Sequence, residues 1–125
     1  MSDDREAILA TVQGYFDALY DGSVARFREV FHPQAQLFSA ENGVTEALDF
    51  ETYMTRVAGR PAPASRDDAR HDEVVALSQP SASTAHVRVR DALAPNRFVD
   101  ELLLVKYPEG WRIVSKAWAF DPQAA

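Results

Sequence analysis

The chain has 125 residues, 46% of them hydrophobic, no cysteine, and a formal charge of −6. That length suits one domain that buries a core without staples, and the lack of cysteine excludes disulfides, thiolate chemistry and cysteine-ligated zinc. The acidic balance argues against nucleic acid and anionic membrane surfaces as partners. No apolar run reaches the length of a membrane span, and the first residues carry no secretory-type stretch, so a cytoplasmic protein is expected.

The first element is a helix. Asp3 and Glu6 have capping-box spacing, and Ile8, Val12, Tyr15, Phe16 and Leu19 then recur at helical intervals on one face. Gly14 inside this helix costs about 1 kcal/mol against alanine, which a close contact would explain. Asp21-Gly22-Ser23 ends the helix and offers a cap to a second, short one over 24–31, with Phe27, Val30 and Phe31 inward and Pro33 as its stop. A strand is expected over 34–40, with Ala35, Leu37 and Ser39 on one face and Gln36 and Phe38 on the other. Glu41-Asn42-Gly43 is a turn, and 44–47 returns as a short strand. Asp49 caps a third helix over 50–58, with Phe50, Tyr53, Met54 and Val57 apolar. Residues 60–68 read as an exposed loop.

The remainder reads as sheet. Strands are expected over 72–77 and 84–90, the latter alternating Ala85, Val87 and Val89 against His86, Arg88 and Arg90. Residues 91–96 read as a loop. A long hairpin follows, 98–107 and 111–120, turning at Pro108-Glu109-Gly110. Helices at one end and a sheet at the other give an α+β domain: three N-terminal helices on a strongly curved antiparallel sheet. Both faces of the hairpin are largely apolar: Phe98, Leu102 and Leu104 on one, Val99, Leu103 and Val105 on the other. A sheet wetted on one side alternates instead. Either loops wrap the second face or a second copy covers it, sheet against sheet, in an isologous homodimer. The dimer is the expectation.

Three strings carry a resemblance: Val12-Gln13-Gly14-Tyr15-Phe16-Asp17-Ala18-Leu19, Val30-Phe31-His32-Pro33-Gln34-Ala35-Gln36-Leu37 and Gly110-Trp111-Arg112-Ile113-Val114-Ser115-Lys116. With the order of elements, they resemble the nuclear transport factor 2-like superfamily, the cone fold that includes SnoaL-like and ketosteroid isomerase-like proteins. Within it the chain is most similar to the putative lumazine-binding group. The resemblance implies a pocket between the concave sheet and the helices. It does not transfer an activity, because the fold serves isomerases, cyclases, dehydratases and non-catalytic binders alike.

Tyr15 lies mid-face on the first helix. Ketosteroid isomerase-like members use a tyrosine there as an oxyanion donor; the alternative is a core tyrosine whose hydroxyl is simply satisfied. Their general base would fall at Ser39, which cannot serve, and Glu41 reads as a turn residue. Asp100 shares its strand face with Phe98, Leu102 and Leu104, where desolvation would raise its pKa, unless it pairs with Arg97 or meets solvent. His32 either lines the pocket or caps the second helix. His71 and His86 are too dispersed for a metal site, and none is expected. Lys116 and Trp118 face the pocket if their face is concave and a dimer patch if it is convex. Trp111 and Ile113 compete as core, and a β-bulge between the pairs would change the assignment. Arg56 and Arg60, at i and i+4, either grip an anion or are solvated helix-end charges. No nucleotide-binding glycine motif, phosphate loop or nucleophile elbow is present, so no cofactor is expected. The reading that results is a homodimeric binder of a small, apolar or aromatic molecule, its pocket drawing on Tyr15, Phe16, Leu19, His32, Phe38, Tyr53, Asp100, Lys116 and Trp118. The alternatives are an isomerase, cyclase or dehydratase using Tyr15, His32 and Asp100, or a protein-interaction module.

Overall fold

The computed structural model describes residues 4–123. The chain runs α1 (Arg5–Asp21), α2 (Val24–Val30), β1 (Phe31–Ser39), β2 (Glu46–Asp49), α3 (Phe50–Gly59), β3 (Glu73–Ser78), β4 (Thr84–Leu93), β5 (Asn96–Tyr107) and β6 (Gly110–Phe120). The six strands form one curved sheet in the order β2-β1-β6-β5-β4-β3. The α+β cone is as the sequence suggests, with one difference: β1 runs parallel to β6, so the sheet is mixed. Hairpin signals fix neighbours in sequence, and the β1–β6 pairing joins opposite ends of the chain.

Each helix has a local cause. Gly22 sits in the left-handed region and ends α1, Arg26 N–H donates to Ser23 Oγ at 3.2 Å to cap α2, and Thr52 N–H donates to Asp49 Oδ1 at 2.7 Å to cap α3. The Asp3 end of the expected capping box lies outside the described residues. Asp4 instead ties α1 to the sheet, accepting from Lys106 Nζ at 3.0 Å and Gln79 at 3.1 Å. Gly14 is accounted for: a Cβ there would meet Val30 Cγ1 at 2.7 Å. α1 lies across β6 and β4, and α3 across β1 and β2. Their buried faces close on Val87, Val89, Leu102, Leu104, Trp111 and Ile113.

The largest departures from the sequence reading fall at three places. α2 ends at Val30, and Phe31 is already extended, so Pro33 sits inside β1 rather than stopping a helix. The short return strand is β2, two residues later than expected, ending on the residue that caps α3. Residues 91–96 are not a loop: β4 continues to Leu93 and β5 begins at Asn96, a tight hairpin around a cis Ala94–Pro95 bond.

β6 carries a bulge that governs the site. Leu103 pairs with Ser115 and Leu104 with Ile113, leaving Val114 unpaired. The extra residue resets the period-2 alternation. Trp111 and Ile113 point inward before it, Lys116 and Trp118 after it, so the two pairs share the concave side. The convex face is open: Leu103 is 49% exposed. That face is not uniformly apolar, for Glu101 is hydrogen-bonded there to His86 Nε2 at 2.7 Å and ion-paired with Arg88 at 2.8 Å.

Candidate functional site

The cone holds a cavity of about 190 Å³ between α1, α3 and the inward faces of β2, β4, β5 and β6. Leu19, Leu48, Leu93, Phe98 and Trp118 supply its apolar wall; Asp91, Asp100, Lys116 and Tyr53 supply its polar floor; Glu46, Arg56 and Arg60 lie at its rim. Tyr53 is held by the aromatic core, edge-on to Phe27 at 5.4 Å.

The floor is a buried charge cluster. Asp100, 1% exposed, accepts a hydrogen bond from the Tyr15 hydroxyl at 2.6 Å. Lys116, 6% exposed, places its Nζ 3.9 Å from Asp100 Oδ2 and donates to the Tyr53 hydroxyl at 3.3 Å. The same ammonium lies 5.2 Å from the Tyr15 ring, 5.0 Å from Tyr53 and 5.7 Å from Trp118, within cation–π range of all three.

Protonation follows from burial and charge. Desolvation, then the Asp100 charge, pushes the Tyr15 phenol well above its usual range, so it is a donor. Desolvation alone would lower Lys116, but Asp100, Tyr53 and Asp91 outweigh it and hold the ammonium above its ordinary value. Asp91 is raised well above 3.8 by desolvation first, then by the Asp100 charge and a hydrogen bond to Asp100, with Lys116 pulling weakly the other way. Asp91 Oδ2 and Asp100 Oδ1 are buried, and neither has a hydrogen-bond partner among the described residues. A proton on Asp91, directed at Asp100, answers both.

The sequence-derived candidates separate by position. Leu19, Tyr53, Asp100, Lys116 and Trp118 line the cavity. Tyr15 stands behind it and reaches it through Asp100, while Phe16 is core, 3% exposed. His32 does not join them. Its Nδ1 accepts from Gln34 N–H at 3.0 Å and its ring lies 5.0 Å from Tyr107, at the far end of β5 from Asp100. Phe38 is also displaced: beside Ala117 on the convex face it is 41% exposed, because alternation along β1 turns Leu37 inward instead. The trio of Tyr15, His32 and Asp100 is therefore not a convergent set. No cluster of three metal-ligating side chains occurs among the described residues.

Asp91 is the polar floor residue that the sequence reading missed, and Leu48, Leu93 and Phe98 are wall residues it did not assign to the pocket. The signal for Asp91 was present: the inward series Ala85, Val87, Val89 continues through it. Proline and asparagine nearby made the stretch read as a loop, but they belong to the turn after it.

A helical lid on a curved sheet with a polar-floored cavity defines a protein of the nuclear transport factor 2-like class. The match is close to an NTF-2 like protein of unknown function from Silicibacter pomeroyi DSS-3, with TM-score 0.85, 21% identity, and 97% and 100% of the two chains covered. A ketosteroid isomerase-like protein from Erwinia carotovora atroseptica SCRI1043 matches with TM-score 0.74, 13% identity, and 96% and 98% covered. Within that class the chain belongs to the family described as "Putative lumazine-binding", which matches residues 3–119. A protein named Aldolase FrzH, from Cladobotryum sp, is 26% identical over 98% of this chain and 95% of its own length.

Proposed function

We propose that the cone binds a small, flat organic molecule bearing a carbonyl or anionic oxygen. Lys116 carries the proposal. A buried ammonium normally has every donor committed, since burial without partners is costly. Here it has one hydroxyl at 3.3 Å, a carboxylate at 3.9 Å and an open cavity beside it. A ligand oxygen would complete its hydrogen bonding while Trp118 and Phe98 contact the ring. An empty apolar cavity of about 150 Å³ accommodates benzene, so about 190 Å³ suits one substituted ring. Thermal-shift screening with hydroxybenzoates, aromatic ketones, pterins and flavins tests this, since a ligand of the folded state raises its stability. One-ring compounds should stabilise the wild type and not Lys116→Met, and flavins should fail on size. No shift with any probe would end the proposal.

A second reading makes the site catalytic, favoured by the arrangement of the floor and by the relative named as an aldolase. Aldol-type chemistry needs a base beside the carbon that bears a carbonyl, and donors for the resulting oxyanion. In this reading Asp100 takes the proton and Lys116 donates to the oxyanion. Deuterium uptake at the α-carbon of small ketones, followed by NMR, tests it without the natural substrate. Loss of uptake in Asp100→Asn is expected; no uptake by the wild type would remove this reading.

The homodimer through the convex sheet face belongs to the same proposal and rests on exposed Leu103 and half-buried Val99 and Val105. Sedimentation should give a dimer for the wild type and a monomer for Leu103→Arg; a monomeric wild type refutes it. The cytoplasmic setting rests on composition alone, and cell fractionation tests it.

A further inference from the structure

We propose that the ligand is a monoanion, a carboxylate on a flat unsaturated body, and that its carboxylate docks on Arg60 at the cavity mouth. This rests on the small-molecule reading above and adds the charge and orientation of the ligand.

The two rim arginines are four residues apart on the same helix end, yet the structure treats them differently. Arg56 is tied to Glu46 at 2.5 Å. The Arg60 guanidinium meets no oxygen among the described residues and lies 5.7 Å over the Tyr53 ring. That ring is the wall shared with the floor, for Lys116 approaches it at 5.0 Å from within. One aromatic side chain thus carries a cation at the mouth and another at the base.

The charges around the cavity make Arg60 the unmatched one. Lys116 faces Asp100, and Arg56 faces Glu46. Asp91 holds its proton, so it offers no second negative charge. What remains is the Arg60 guanidinium, half-buried and lining the cavity, in a chain whose overall charge is −6. A single negative group in the cavity neutralises it. The guanidinium fork matches a planar carboxylate bidentately, and stacking on Tyr53 orders the side chain beforehand, which lowers the entropy lost on binding. One free cation argues for a monoanion over a dianionic phosphate ester. With the carboxylate at the mouth, the body of the ligand lies along Tyr53 and Trp118, and its far end reaches Lys116.

The test uses isosteres. Benzoate, benzamide and phenyl phosphate are titrated calorimetrically into the wild type, Arg60→Gln and Arg56→Gln, each variant first shown to melt as the wild type does. Benzoate should bind the wild type at least tenfold more tightly than benzamide. Arg60→Gln should abolish that preference while leaving benzamide unchanged, and Arg56→Gln should keep it. Equal affinity for benzoate and benzamide overturns the anion assignment, a preference that survives Arg60→Gln overturns the docking on Arg60, and both results leave the small-molecule reading standing. Tighter binding of phenyl phosphate than of benzoate overturns the carboxylate. Binding of none of the three, with no response in the wider screen, overturns both readings together.

Discussion

Replacing Asp91 by asparagine isolates the most heavily perturbed carboxyl in the cone. Asp91 is 4% exposed and is pushed well above 3.8 by burial and by Asp100. In the folded protein it keeps a proton that the unfolded chain has lost. Its contribution to stability is therefore complete below about pH 3.8 and is lost as pH rises towards the folded value. Across that window the loss is about 1.4 kcal/mol per pH unit. Unfolding entropy is about 2.1 cal/mol/K per residue, which for 125 residues makes each kcal/mol worth about 4 °C. The wild type should thus lose about 5 °C per pH unit relative to Asp91→Asn. Asparagine is isosteric, stays neutral, and offers Asp100 the same kind of donor, so the two proteins should melt together near pH 4 and diverge above it, the variant being the more stable. Calorimetry and urea unfolding at a series of pH values measure the difference. Glu46, Glu51 and Glu101, whose pKa values are lowered by their arginine partners, impose the opposite slope equally on both proteins, so it cancels. Parallel curves, or a variant that falls behind as pH rises, would show that Asp91 is not protonated in the fold.

Tyr15→Phe removes a 2.6 Å hydrogen bond to a buried carboxylate; urea unfolding should show a loss of about 1.5–3 kcal/mol. Gly14→Ala gains about 1 kcal/mol of helix propensity but drives a Cβ into Val30 at 2.7 Å, so net destabilisation is expected. Adding Val30→Ala should make the alanine at 14 favourable, and a double-mutant cycle with no coupling would contradict the packing. His32→Ala should leave the affinity of any cavity ligand unchanged in calorimetry, because its ring packs by Tyr107 and not at the cavity.

The fold was legible because its signals are local. The apolar stripe from Ile8 to Leu19, the caps at Ser23 and Asp49, the alternation along β4 and the long apolar run of β5 each specify an element from neighbours in sequence. Asp100 was legible for the same reason, through its phase with Leu102 and Leu104. Lys116 and Trp118 were ambiguous because the residue that orients them, Val114, is a break in phase, and a bulge is set by the partner strand's register. Phe38 was assigned to the pocket although its parity, opposite to that of Leu37, turns it outward. The separation of Arg56 from Arg60 was beyond reach from sequence, since it depends on Glu46 arriving from another strand.

The unpaired Val114 divides β6 into two independent stretches. Upstream, Trp111 and Ile113 anchor the helices; downstream, Lys116 and Trp118 furnish the hollow. Substitutions beyond the irregularity can exchange one reagent for another without disturbing the anchor, and excising that single valine would join Ile113 to Ser115 in unbroken alternation, keeping Lys116 and Trp118 inward while removing the local bend that aims them. Durability and chemistry are thus inherited separately along one ribbon of backbone.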